Sequence, residues 1–258
     1  DSHGGAIHLK GTSFKKVITG INEHGYENIQ KTPGIEITNC QFNDNVAQAS
    51  GGAISSISTT INLLVSNCTF KRNRAANVGG AIYAIVEYIT LVNTSIDQSS
   101  AKSGGAIYIE MALISASLVN TTFSKNFAVE KGGAVYLRTS FEVSIDRVLM
   151  YENIGSECSG LVIGNVISVN ISNSVFSKNK GTELGAFYAS DIKQLNINST
   201  IFEENTANEG GAMSLKFDQV RIGLSNVQFI KNEARLFGGA ILASFSSQQD
   251  NFFECYKC

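Results

Sequence analysis

The tetrad Gly-Gly-Ala-aliphatic begins at Gly4, Gly51, Gly79, Gly104, Gly132, Gly210 and Gly238, with degraded copies at Ser159-Gly160-Leu161-Val162 and Leu184-Gly185-Ala186-Phe187. After the first, neighbouring copies lie 25 to 28 residues apart. Self-similarity at such a period is the mark of a solenoid, in which each copy is one coil that buries its apolar side only by stacking on its neighbours. A coil this short leaves no room for a strand, a full helix and two turns, and no segment sustains 3.6-residue spacing.

A second motif keeps phase with the first. Phe-x-x-Asn occurs at Phe42, Phe70, Phe123, Phe176, Phe202 and Phe229, eight or nine residues before the glycines. Period-2 stretches precede each Phe, as in Ile35-Glu36-Ile37-Thr38-Asn39 and Val169-Asn170-Ile171-Ser172-Asn173, and others follow the glycines, as in Ile107-Tyr108-Ile109. Alternation of this kind is a strand with one buried face. About three short strands per coil, stacked in parallel, give an all-β fold: a right-handed, single-stranded parallel β-helix of about eight coils over residues 1–250. A loop of about 20 residues at 17–34, carrying His24 and the lone Pro33, interrupts the first spacing of 47. Equivalent residues of successive coils should stack about 4.8 Å apart in columns, Phe on Phe and Asn on Asn. The asparagines are expected as corner posts in the left-handed αL conformation, with amides bonding the coils above and below. The glycine pairs should mark a corner where φ is positive or backbone approaches too closely for a Cβ.

The two motifs, recurring together through nearly the whole chain, resemble the repeat of the chlamydial polymorphic outer-membrane proteins, and similar repeats occur in large secreted or surface proteins of protists, including ciliates. The resemblance implies a pectate-lyase-like β-helix and, in the bacterial family, adhesion to host cells. Nothing in the chain matches that family's membrane barrel. Cys255-Tyr256-Lys257-Cys258 looks like entry into a cysteine-rich region of the kind that follows β-helices in the protist proteins, so 251–258 reads as the start of such a segment.

Composition narrows the function. Lys and Arg number 20 against 22 Asp and Glu, a net charge of -2, which gives no electrostatic footprint for nucleic acid or an anionic membrane. No apolar run is long enough to span a bilayer as a helix. Both ends of the chain read as cut from something longer. An enzyme acting on acidic polysaccharide would show carboxylates and bases recurring in one outward slot of neighbouring coils. The outward slots instead read as Glu36, Ser66, Thr90, Ser117, Asn170, Asn196 and Gly223. The densest charged stretch, Arg138, Glu142, Asp146 and Arg147, reads as a solvated face. No catalytic residue, metal site or cofactor is expected. Cys255 and Cys258 fall short of the four ligands zinc needs, and the histidines, His3, His8 and His24, lie far off in sequence.

Three sets of residues remain as candidates. Sequons start at Asn67, Asn93, Asn120, Asn170 and Asn198. The first three fall on an asparagine corner expected to turn inward, whereas Asn170 and Asn198 have outward parity and rank highest for N-linked glycans. Cys40 and Cys68 share one slot in neighbouring coils, where stacked Cα atoms permit a disulfide, although two buried thiols would pack equally well. Cys158 has no partner in that register and reads as a small core residue. Tyr83, Tyr108, Tyr136 and Tyr188 share one outward slot after the glycines. Such a column either stacks on sugar rings or a partner's surface, or stacks only on itself.

The expected whole is a non-catalytic structural rod, a segment of a larger secreted or cell-surface glycoprotein. It would associate end to end, or with neighbouring segments of one long chain, because β-helix ends leave strand edges to be covered. An adhesin holding a face for host cells or cell-surface glycans is the alternative, and a polysaccharide lyase or glycoside hydrolase the more remote one.

Overall fold

Every coil repeats three short runs of extended chain because apolar side chains recur at period 2 between fixed breaks. The computed structural model describes residues 5–10, 34–245 and 251–258. Among them there is no helix. Three sheets, of 14, 8 and 8 strands, run the length of a β-solenoid of about eight turns, and all their strand pairs are parallel. The large sheet contains Ile82–Val92, Ile107–Val119, Leu161–Ser172 and Phe187–Asn198, with the equivalent strand broken in two in other coils. The second sheet stacks the Phe-x-x-Asn strands from Gln41–Asn43 to Gln228–Ile230, and the third runs from Val46–Ala47 to Glu233–Phe237. The inserted segment 17–34, apart from Gly34, lies outside the described residues.

Register places the columns where the repeat puts them. Phe42, Phe70, Ile96, Phe123, Met150, Phe176, Phe202 and Phe229 are successive partners in the second sheet. Ile96 and Met150 fill the two slots that the motif leaves blank. Rings of Phe42 and Phe70, and of Phe176 and Phe202, stack with centroids 4.7 Å apart. Ile54, Ile82, Ile107, Val135, Leu161, Phe187 and Met213 form a second buried column, and Ile37, Val65, Leu91, Leu118, Ile145, Ile171, Ile197 and Leu224 a third. The core is thus one continuous apolar cylinder. A coil alone would have neither its ladder hydrogen bonds nor a dry face.

The corners differ from expectation in an instructive way. The Phe-x-x-Asn asparagines are not in αL; the residue just before each one is, giving the column Asp44, Arg72, Gln98, Lys125, Glu152, Lys178, Glu204 and Lys231. The asparagine itself turns inward and relays hydrogen bonds along the axis. Asn153 Nδ2 donates to Phe123 O at 3.0 Å, while Asn153 Oδ1 accepts from the backbone N and the Nδ2 of Asn126, both at 3.0 Å. Asn73, Asn126, Asn179, Asn205 and Asn232 repeat this arrangement, and Asn45 donates into it from the first coil. A second corner, with Asn39, Asn67, Asn93, Asn120, Arg147, Asn173, Ser199 and Asn226 at positive φ, closes the large sheet.

The two glycines of each pair do different work. The first, as at Gly79 with φ of 66°, supplies the positive φ. The second has ordinary φ but no room: a Cβ on Gly80 would overlap the Gly105 carbonyl oxygen and lie 2.6 Å from Ser100 N. In the degraded coil the register is one residue off the sequence alignment. Val135 pairs with Leu161, so Cys158 and Ser159, not Ser159 and Gly160, stand in the glycine slots. The boundary at residue 250 also moves. Phe252–Tyr256 pairs in parallel with Arg221–Ser225, so the β-helix runs on through the segment expected to begin a cysteine-rich region.

Candidate functional surface

Outward parity proves to be a poor guide to exposure. Tyr83, Tyr108, Tyr136, Val162 and Tyr188 are consecutive partners in the large sheet, facing away from the cylinder. Yet Tyr83 and Tyr108 are only 7% and 9% exposed, and Tyr136 and Tyr188 are half-buried. The rings cover one another, with centroids 6.0 Å apart for Tyr83 and Tyr108 and 4.8 Å for Tyr108 and Tyr136. Val78 and Ser103, in the turn before the glycines, line a cleft together with Tyr108 and Tyr136. Tyr83 Oη donates to Glu110 Oε2 at 2.9 Å, and Glu110 also pairs with Arg138 at 3.2 Å. Of the two readings of this column, the geometry favours the self-stacking ladder, and Val162 interrupts it.

That burial has a measurable consequence. It pushes the Tyr108 phenol up to about 12, and burial together with the Glu110 contact raises Tyr83 further still. A folded-state pKa above the unfolded value of about 10 means that stability is complete below pH ~10 and falls as pH rises through 12. The share of phenolate absorbance that a Tyr83→Phe, Tyr108→Phe variant lacks should therefore appear together with loss of β-sheet signal in alkaline titration; that share appearing at pH ~10 with structure intact would refute the ladder.

The sequon asparagines split differently from their strand parity. Asn67, Asn93 and Asn120 are exposed, not turned inward, because positive φ at that corner points the side chain away from the cylinder. They form a surface amide ladder, Asn93 Nδ2 to Asn67 Oδ1 at 3.2 Å and Asn120 Nδ2 to Asn93 Oδ1 at 2.7 Å. Asn198 is exposed as expected, while Asn170 is half-buried and accepts from Asn196 Nδ2 at 3.0 Å.

Cys40 and Cys68 do stack in neighbouring coils, but the disulfide expected between them is not formed. Each thiol instead donates to a backbone carbonyl, Cys40 to Thr38 O at 3.1 Å and Cys68 to Ser66 O at 3.2 Å, which holds the sulfurs in place as thiols. Cys158 is a fully buried thiol whose pKa burial pushes up to about 12, and burial raises Cys68 as well. Cys255 and Cys258 are the bonded pair. A disulfide reagent added to the native protein should label the half-exposed Cys40 within minutes, and Cys68 and Cys158 only on unfolding. Label on one cysteine alone after unfolding would restore the Cys40–Cys68 bridge.

Charges are spent along the axis. Among the described residues, six of the seven ion pairs join neighbouring coils, including Arg72 with Asp44 at 2.6 Å, Lys131 with Glu157 at 3.0 Å and Lys102 with Glu130 at 3.1 Å. The Arg72 guanidinium, through its hydrogen bond, holds the Asp44 carboxyl below its usual range, and Asn173 does the same for Asp146. The outward slot of the large sheet reads Glu36, Leu64, Thr90, Ser117, Ser144, Asn170, Asn196 and Gly223, with Leu64 where spacing suggested Ser66. Sequence reasoning missed one surface altogether. Leu113, Ile114, Phe141 and Ile167 are exposed apolar side chains in the middle of the rod, where the large sheet's register shifts. The only sequence signal for them was a break in alternation at Leu113-Ile114 and Phe141-Glu142.

The Chlamydia polymorphic membrane protein repeat model matches residues 39–57, 67–85 and 120–138. Each match starts at a positive-φ asparagine, passes through Phe-x-x-Asn and the glycine pair, and ends in or just after the following strand. These segments are therefore similar to that repeat as one structural coil. No curated protein and no solved structure matches the chain.

Proposed function

We propose that the chain is a rigid, non-catalytic β-helix segment of a secreted or cell-surface glycoprotein, whose work is to extend distance and present surface. The observation that carries this reading is where the polar side chains point. Amide, ion-pair and tyrosine contacts repeatedly bridge residues 26 to 28 apart, from one coil to the next, and so are used in building the rod. Similarity of three coils to the repeat of a polymorphic membrane protein supports a surface location and keeps adhesion as the second reading. Among the described residues no helix is long and apolar enough to cross a membrane.

N-linked glycans belong to this reading. The exposed Asn67, Asn93, Asn120 and Asn198 suit them better than the half-buried Asn170. Each coil offers the same parallel edge above and below, so the same pairing would continue into further coils of a long chain or into a second subunit stacked end to end.

Electron microscopy of glycosylated material, joined to binding assays on host-type cells, cell-surface glycans and anionic polysaccharides, tests the proposal. Straight rods or filaments with a 4.8 Å axial repeat, inert toward all three, are expected. Saturable binding by single rods that is lost in a Tyr108→Ser, Tyr136→Ser variant would favour the adhesin. Cleavage of a polysaccharide would overturn the structural reading.

A further inference from the structure

The apolar ridge at mid-rod has an order along the axis that a single outward slot should not have by accident. In register, Val86, Ala112, Ser140, Val166 and Ile192 are partners on one side of it, and Tyr88, Ser115, Glu142, Ser168 and Gln194 on the other. Between these two rows stand, coil by coil, Glu87, the bulged pair Leu113-Ile114, Phe141, Ile167 and Lys193. Phe141 is 61% exposed, Leu113 and Ile167 each 47% and Ile114 39%. Neither Glu87 nor Lys193 has an ion-pair partner among the described residues. The slot thus reads acid, aliphatic, aromatic, aliphatic, base, and is symmetric in character about Phe141.

We infer that this ridge is a self-complementary contact at which two copies of the chain pair side by side and antiparallel. A two-fold axis along the Phe141 strand, perpendicular to the rod, sets Phe141 on its own copy. It brings Leu113 and Ile114 against Ile167 of the other copy, and Glu87 against Lys193 at both ends. Isologous contacts of this kind make closed dimers. Parallel pairing would oppose Glu87 to Glu87 and Lys193 to Lys193, so charge selects the antiparallel arrangement. The same axis carries Glu142, on the flank of Phe141, toward its own copy, a like-charge pair that keeps the contact weak. Four apolar side chains also cover less than a standard interface of about 800 Å² per partner, so a reversible dimer is expected, not a permanent one. This pairing is lateral and is independent of the end-to-end stacking proposed above.

Sedimentation equilibrium of the whole chain, with N-linked glycans removed so that sugar cannot mask the ridge, tests it. A monomer–dimer equilibrium is expected. Phe141→Ser should weaken it at least tenfold, and Glu87→Lys alone or Lys193→Glu alone roughly tenfold, whereas the double reversal Glu87→Lys, Lys193→Glu should restore it. Glu142→Gln should tighten it. All four positions face solvent, so unchanged thermal unfolding certifies the fold of each variant. Phe141→Cys should cross-link to its own copy on mild oxidation, beyond any cross-linking of the unaltered chain. A strictly monomeric chain, a dimer indifferent to Phe141→Ser, or a double reversal no better than the single ones would overturn the inference.

Discussion

Replacing Gly80 with alanine is expected to destabilise the solenoid by about 4 kcal/mol, among the largest effects a single methyl can have. The added carbon has nowhere to go. It would overlap the Gly105 carbonyl and meet Ser100 N at 2.6 Å and the Ser100 carbonyl carbon at 2.8 Å, all of them backbone atoms of the next coil. A side chain can rotate aside, but two stacked backbones can separate only by giving up the ladder hydrogen bonds between them. Such a loss should appear as a lower urea midpoint. A Gly80→Ala protein that unfolds at the original midpoint would show that the corner can relax. Ser159 does occupy the equivalent slot in one coil, but there Cys158 replaces the positive-φ glycine, so that turn follows a different path.

The second large effect is expected at Asn153. Leucine in its place matches it in volume but strands the Phe123 carbonyl, the Asn126 amide N–H and the Asn126 carboxamide in a dry interior, where Asn153 is fully buried. Unmade buried hydrogen bonds cost about 1–3 kcal/mol each, so a loss of about 3–5 kcal/mol follows. The chain contains the converse case. Ser99 stands in the same column, too short to reach along the axis, and its buried hydroxyl finds no partner among the described residues. Ser99→Asn should complete the relay to the Phe70 carbonyl and raise stability by about 1 kcal/mol. If Asn153→Leu proved neutral in urea unfolding and Ser99→Asn destabilising, the asparagine column would be filler and not the axial hydrogen-bond relay described above.

Much of this architecture is legible in the repeat. The coil, its strands and the Phe column follow from period and alternation, since in a stack of identical turns every residue's nearest neighbour is its own equivalent. Met150 could have been placed in the Phe column by counting from Phe123. The Cys158-Ser159 register could not, because one residue of slack in a turn is invisible until strands pair.

What the sequence by itself determined, then, was the repeat and which residues share a column: phase and period are properties of the chain, and a one-residue slip would put every apolar side chain in water. What only the tertiary structure decided was the direction and cover of each column. At a corner, the sign of φ aims the side chain, so Asn93 points out to solvent while Asn153, another asparagine of the same repeat, turns inward. On a strand, parity places Tyr108 outside the cylinder, but the neighbouring rings stack over it and leave it nearly buried. For Phe141 the neighbours Leu113, Ile114 and Ile167 do not cover the ring, and it stays exposed at the middle of the rod.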